Sequence, residues 1–338
     1  MPSRDLVRTT RREFLSGVSA LALTSSPLLG NPPDSVSPLV AGPQVDAFKE
    51  AQARCAAKFD YQARSRFVKI AKPQLTLHVL EAGHGKPVVL LSGGSTVIQF
   101  AAPLAGPLSR EFHTYAMDRP GCGLSDRLDY RGTTSREQAV TCIGSLLDSL
   151  KLHRVALVGN SMGGFWALAF ALARPERVSK LVFLGEVAGS SPPPPQPPVA
   201  ALPSTSPAAP LSLEGLRARY AARLVAHVER VPPEILQAVY AAEILPGYAQ
   251  STATMMEQIT HEGIPMTYAL RPELKNLKPE TLFIWGDQDK LGSAMRGNEM
   301  ASMIPHARCE VIKEAGHLPW LDQPELCIQL TRDFLRQP

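Results

Sequence analysis

Short apolar segments alternate along the chain with longer segments of helical periodicity. In segments 66–71 and 75–83 apolar and polar residues alternate, and the intervening Lys-Pro-Gln predicts a β-hairpin. The segment PVVLLSGG at 87–94 is apolar up to its last three residues, which is typical of a strand buried on both faces of a parallel sheet. The spacing of apolar residues at 46–59 predicts a helix ahead of the hairpin.

The alternation of strands and helices continues toward the C-terminus. Further strands are predicted at 111–118, 154–159, 177–185, 281–286 and 307–312, and further helices at 134–150, 161–173, 294–304 and 324–336. The first of these helices opens with Thr134 and Glu137, the spacing of a capping box. Strands that alternate with helices predict an α/β fold, in which a mostly parallel sheet carries helices on both faces.

Residues 188–272 interrupt this alternation and predict a helical lid inserted between two parts of the core, 65–187 and 273–338. The insertion opens with a segment at 190–210 that contains nine prolines, which favours polyproline II over helix or inner strand. Helices are predicted after it at 213–228, 233–244 and 251–262. The large lid side chains either line an apolar pocket or form the core of the lid; they are Tyr220, Tyr240, Tyr248, Met255, Met256 and Met266.

The first 30 residues have the pattern of an export signal. Residues 10–15 read TRREFL, a twin-arginine pattern, and a short apolar stretch follows at 17–23. We therefore expect a periplasmic or secreted bacterial protein, whose precursor meets the twin-arginine export machinery. The alternative is a basic amphipathic helix. Residues 31–64 are predicted to form a tether and the helix at 46–59.

Composition excludes several classes of partner and cofactor. The chain has 338 residues and a net charge of +4, too weak and scattered for a nucleic-acid surface. No spacing typical of a nucleotide-binding loop occurs, and the five cysteines form no CxxC pair, so neither a cofactor nor a structural zinc ion is expected. The cysteines are predicted to be small buried side chains, although an exported protein could pair some of them.

A serine at the junction of a predicted strand and helix is the strongest chemical signal. Residues 157–165 read LVGNSMGGF, with Ser161 in a tight glycine-rich turn. Such a turn projects the hydroxyl at the carboxyl edge of the sheet, and it aims the N–H of Met162 at an oxyanion formed there. With this strand–turn–helix context the chain resembles the α/β-hydrolase superfamily from about residue 65 to residue 337.

The resemblance implies a base and an acid for Ser161. His317, in EAGHLPWLDQP, lies after the last strand, where the family carries its catalytic histidine. Asp289 stands three residues after Gly286, which is the family's Gly-x-x-Asp spacing. Asp287 and Glu186 are the alternative acids. The order Ser, Asp, His is that of the superfamily.

The second oxyanion donor is expected from the loop after the strand at 87–94. Relatives usually read His-Gly there, whereas this chain reads SGGST, and the N–H of Gly94 is the predicted donor. The segment MDRPGCGLSD resembles a family loop in which Asp118 and Arg119 hold neighbouring loops in place. Cys122 lies in that loop with no histidine assigned to it.

The nucleophile selects among the reactions of the superfamily. Relatives that open epoxides or remove halide use a carboxylate where this chain has Ser161, so acyl transfer to water is expected, on a small-molecule carboxylic ester or a similar acyl compound. The sequence Gly-Asn-Ser-Met-Gly-Gly also resembles the motif of hydrolases that cleave carbon–carbon bonds in ring-fission products. Those typically carry a longer loop and a tryptophan after the histidine, whereas here Leu318 follows and Trp320 comes two further on. A non-catalytic scaffold that binds a ligand under its lid is the remaining alternative.

Overall fold

The computed structural model describes residues 41–188, 211–257 and 269–338, and the backbone of two short strands at 260–261 and 264–265. The predicted export signal at 1–30, the proline-rich segment at 190–210 and Met266 lie outside the described residues.

Eight strands form one twisted sheet in the order β1-β2-β4-β3-β5-β6-β9-β10. β2 is antiparallel to its neighbours β1 and β4, and all other neighbouring pairs are parallel. This confirms the predicted α/β fold with a mostly parallel sheet. The strands of the described chain are β1 (Arg64–Ile70), β2 (Leu75–Ala82), β3 (Lys86–Leu91), β4 (Phe112–Met117), β5 (Val155–Ser161), β6 (Val178–Val187), the separate pair β7 (Thr260–His261) and β8 (Ile264–Pro265), β9 (Glu280–Gly286) and β10 (Ala307–Ile312).

Helices cover both faces of the sheet. α1, α2, α6 and α10 contribute to one apolar cluster, and α3, α4 and α8 to the other. Within the described residues no helix is both long and apolar enough to cross a bilayer. The helices are α1 (Pro43–Lys58), α2 (Ile98–Leu108), α3 (Ser135–Ser149), α4 (Met162–Ala173), α5 (Leu213–Arg219), α6 (Pro233–Glu243), α7 (Tyr248–Met256), α8 (Ala294–Ser302), α9 (Pro319–Asp322) and α10 (Pro324–Arg336).

The continuous apolar run of β3 follows from its place inside the sheet. Val88 and Leu90 belong to the cluster on one face, and Val89 and Leu91 to the cluster on the other. Successive side chains of a strand point to opposite faces, so a strand covered on both sides must be apolar at every position.

Two predicted helix boundaries are wrong, and one helix was not predicted. The helix predicted at 213–228 leaves α-helical geometry after Arg219 and ends in a π-helical turn, because Val225 is extended and the neighbouring backbone bonds to the loop of His317. The helix predicted at 251–262 ends at Met256, and residues 260–261 pair with 264–265 instead. α2 was not predicted, since Pro103 and Pro107 within it argue against a helix.

All five cysteines lie in the described part of the chain and are free thiols. Burial is the main cause of their raised pKa values; the pKa of Cys55 rises to about 12, and that of Cys122 is also raised. A buried thiol with a raised pKa is protonated at neutral pH and behaves as a small apolar side chain. Cys122 is therefore unsuited to be a nucleophile.

Candidate active site

Ser161 lies on a sharp turn between β5 and α4. Its backbone has φ 49° and ψ −120°, a left-handed conformation that is uncommon for a residue with a side chain. The turn is tight: a Cβ at Gly163 would lie 2.0 Å from the carbonyl oxygen of Leu91, and one at Gly159 would lie 2.8 Å from that of Gly163. Both glycines are thus required by close backbone approach, as the motif predicts for a strained nucleophile turn.

The structure brings His317 and Asp289 together. His317 Nδ1 lies 3.0 Å from Asp289 Oδ2, and both side chains are buried. Asp289 also accepts backbone hydrogen bonds from Glu186 at 3.0 Å, Leu291 at 2.9 Å and Gly292 at 3.3 Å. A carboxylate held in this way accepts the Nδ1–H of the imidazole and leaves Nε2 available to take a proton.

The two alternative acids do not occupy this position. Asp287 Oδ2 lies 3.4 Å from the ammonium nitrogen of Lys313. Glu186 is buried beside Asp289, to which it contributes its backbone N–H. Of the three predicted candidates, Asp289 is the one that contacts His317.

Two buried polar side chains fix the position of the His317 loop, and sequence analysis did not assign them a role. Asn160, next to Ser161, donates to Leu184 O at 2.7 Å and to His317 O at 3.4 Å. Asp322 gathers three backbone N–H groups, from the His317 loop and from the lid. They belong to Gly316 at 2.8 Å, His227 at 2.9 Å and Ala226 at 3.0 Å.

The predicted oxyanion loop, residues 92–96, lies directly against Ser161, the predicted nucleophile. A Cβ added at Gly93 would come within 2.5 Å of Ser161 Cβ and 3.0 Å of the nitrogen of Met162, the first residue of α4. The N–H of Gly94, the predicted second donor, bonds to Ser92 Oγ at 3.1 Å. Ser92, which stands where relatives have histidine, thus closes a local turn that orders the loop.

Arg119 and Asp118 hold this loop in place through hydrogen bonds to its backbone, as predicted. Arg119 is buried and donates to the carbonyl oxygens of Ser92 at 2.8 Å and Gly93 at 3.1 Å. Its remaining terminal nitrogen lies 3.0 Å from the sulfur of Met255 in the lid. The Asp118 carboxylate accepts the N–H of Val97 at 2.6 Å, at the far end of the loop.

Gln99 in α2 adds a side-chain amide to the site that the sequence did not single out. Its Nε2 occupies the space that a side chain at residue 94 would need, because a Cβ built on Gly94 would lie only 1.7 Å from this nitrogen. Its Oε1 accepts from Tyr220 OH of the lid, and its carbonyl oxygen accepts from Trp320 Nε1 at 3.0 Å. Tyr220 therefore orients Gln99. Met256, another of the large lid side chains, is exposed and is therefore not part of the lid core.

The assembled groups can perform covalent acyl chemistry: a hydroxyl on a strained turn, an imidazole oriented by a carboxylate, and backbone donors beside them. In the described part of the chain no cluster of His, Cys, Asp and Glu side chains could hold a metal ion.

Residues 88–330 match the model of a family described as the alpha/beta hydrolase family. A 2-hydroxymuconate semialdehyde hydrolase of Pseudomonas putida is 30% identical over 76% of this chain and 89% of its own length. A 2-hydroxy-6-oxononadienedioate/2-hydroxy-6-oxononatrienedioate hydrolase of the same species is 28% identical over 80% of this chain and 96% of its own. The solved structure of a meta-cleavage product hydrolase from Pseudomonas fluorescens has a TM-score of 0.66 at 25% identity, covering 80% of this chain and 97% of that one.

Proposed function

The chain belongs to the alpha/beta hydrolase family, and from that premise we propose that it hydrolyses a bond next to a carbonyl carbon, with Ser161 as nucleophile. His317 is the general base and acid, Asp289 orients it, and the N–H groups of Met162 and Gly94 are the oxyanion donors. The contact between His317 and Asp289, together with the strained turn of Ser161, carries this proposal.

The reaction follows from these positions. Ser161 Oγ attacks the carbonyl carbon while its proton passes to His317 Nε2, and Asp289 stabilises the resulting imidazolium. The N–H of Met162 meets the developing oxyanion, and the N–H of Gly94 joins it when it exchanges its bond to Ser92 Oγ for one to substrate. The bond to the leaving group then breaks as His317 returns the proton, and water releases the acyl group by the same steps in reverse.

The preferred substrate class is a 2-hydroxy-6-oxo dienoate, which makes the reaction a carbon–carbon bond hydrolysis. The support is the elbow sequence Gly-Asn-Ser-Met-Gly-Gly together with relatives whose names describe such substrates. The 2-hydroxy dienoate first becomes its 2-oxo tautomer, as the hydroxyl proton moves to C5 of the chain. When the bond between C5 and the 6-oxo carbon then breaks, its electron pair passes through the conjugated chain to the 2-oxo oxygen, and His317 supplies the proton that the resulting dienolate takes up. Ester hydrolysis, which we expected first from the sequence, is therefore the second candidate.

A carboxylic ester remains the second candidate because of two features of this chain. Leu318 is buried behind His317 in place of the tryptophan expected of ring-fission hydrolases, and its N–H bonds to Leu224 O at 2.8 Å. The dienoate substrates carry a carboxylate, yet the guanidinium of Arg119 is bound to the carbonyls of the oxyanion loop. An uncharged ester needs no cation in the site.

A substrate panel separates the two candidates. The purified protein is assayed with 2-hydroxymuconate semialdehyde and a phenyl-substituted 2-hydroxy-6-oxo dienoate, followed by loss of the conjugated absorbance, and with p-nitrophenyl esters of short and long chains. We expect kcat/KM for a dienoate to exceed that for every ester by about 100-fold or more, because differential transition-state binding of that size needs only about 3 kcal/mol. Ser161→Ala serves as the control for background hydrolysis.

Turnover of esters alone would overturn the carbon–carbon assignment and leave the ester hydrolase. No turnover of either class, together with no labelling of Ser161 by a fluorophosphonate, would overturn the catalytic proposal itself and favour a binding scaffold.

A further inference from the structure

A hydrogen-bonded chain of serine, histidine and aspartate lies outside the proposed active site. Ser65 Oγ on β1 is 2.8 Å from His78 Nε2 on β2, and His78 Nδ1 is 2.7 Å from Asp118 Oδ2 at the end of β4. His78 and Asp118 are fully buried, whereas Ser65 is exposed. Its members are separated by 13 and 40 residues along the sequence, so no local motif indicates it.

The bonding around Asp118 fixes the tautomer of His78. Burial alone would raise the pKa of Asp118, but hydrogen bonds from His78, Val97 and Leu124 lower it overall, so the carboxylate is ionised. An ionised acceptor on one side requires His78 to carry its proton on Nδ1. The lone pair of Nε2 therefore faces the hydroxyl of Ser65, which is the arrangement of a general base beside a nucleophile.

A cavity gives this serine room for a small reactant. It has a volume of about 310 Å³, at the lower end of the range typical of ligand pockets, between α1, the β1–β2 hairpin and α2. Gln52, a buried residue, also lines it, and its Oε1, which has no hydrogen-bond partner among the described residues, can accept a hydrogen bond from a bound reactant. The rest of the wall is mainly apolar but includes Lys49 and Tyr61; its apolar members are Ala53, Ala56, Ala63, Leu80 and Ile98.

We propose that Ser65 is a second nucleophile, which takes an acyl group from small apolar activated esters bound in this cavity. The Ser65 Oγ–H proton passes to His78 Nε2, the Oγ–carbonyl carbon bond forms, and the ester carbon–oxygen bond breaks, so that an aryl ester leaves as a phenolate and Ser65 becomes acylated. Ser161 takes no part in this step.

The test uses Ser161→Ala protein, in which the proposed active site contributes nothing. The protein is treated with p-nitrophenyl acetate or a small fluorophosphonate, and adducts are mapped by peptide mass spectrometry over time. Ser149 on α3 is an internal control, because it is exposed and bonds to the carbonyl of Lys69 rather than to an imidazole. We expect Ser65 to be modified about 100-fold faster than Ser149, the lower end of what a positioned general base contributes.

Two variants keep the result interpretable. Adding Ser65→Ala replaces an exposed side chain, so the protein stays folded and the adduct is expected to disappear. Adding His78→Gln is expected to slow modification of Ser65 by about 100-fold, and its fold is checked by thermal denaturation. The proposal would be overturned if Ser65 were modified no faster than Ser149, or if the same peptide still gained an adduct after Ser65→Ala. Ser65 and His78 would then only support Asp118.

Discussion

Replacing Ser161 by alanine is expected to lower kcat by about 10⁴- to 10⁶-fold, whichever substrate class the protein accepts. Without Oγ no covalent intermediate forms, and the remaining donors and binding contacts give only a small residual acceleration. Alanine has the same Cβ as serine and meets the same backbone strain at φ 49°, so the turn should keep its conformation. Steady-state kinetics with the preferred substrate measure the effect.

Ser302→Ala is the matched control for this substitution. Ser302 is exposed at the end of α8, where its hydroxyl bonds to the carbonyl of Glu299, and its loss should leave kcat within about twofold. If Ser161→Ala kept a tenth or more of wild-type activity while folded, Ser161 would not be the nucleophile.

Asp289→Asn is expected to lower kcat by about 10⁴-fold. An asparagine must point its oxygen at the backbone N–H groups of Leu291 and Gly292, which would turn its NH₂ toward His317 and favour the wrong tautomer of the imidazole. KM should change little, because Asp289 is buried and its carboxylate bonds to His317 and to backbone N–H groups. Single-turnover kinetics separate this loss in chemistry from any loss in binding.

Asp287→Asn provides the comparison, since Asp287 lies two residues away and pairs with Lys313 instead. This partly exposed pair contributes little, so we expect nearly wild-type kinetics and stability. A loss of activity in Asp287→Asn as large as in Asp289→Asn would assign the role to the loop as a whole rather than to one carboxylate.

The parts of the site that are local in sequence could be predicted. Ser161 and Met162 lie in one turn, and the nine residues at 157–165 contain everything that predicts it. These residues include the end of a strand, the flanking glycines and the start of a helix. β3 could be assigned because a strand covered on both faces must be apolar throughout. His317 and Asp289 were placed by resemblance, and the structure brings them into contact because the carboxyl ends of parallel strands meet at one edge of the sheet.

The parts that depend on distant contacts could not be predicted. Gln99 is oriented by Tyr220, 121 residues away, and Asp322 binds lid backbone 95 and 96 residues away. α5 ends early because the backbone that follows it bonds to the loop of His317, where Leu318 N–H donates to Leu224 O. This contact between lid and core overrides the local helical pattern. The bond from Gly94 N–H to Ser92 Oγ depends on loop geometry that no residue pattern specifies.

Trapping the covalent intermediate tests the central claim most directly. Wild-type protein is mixed with excess substrate, quenched in acid within the first turnovers, and digested for peptide mass spectrometry. We predict that the peptide containing Ser161 gains the mass of the acyl fragment, and that the same peptide from His317→Ala protein, quenched at the same times, does not. Full turnover with no adduct on Ser161 at any quench time would contradict it.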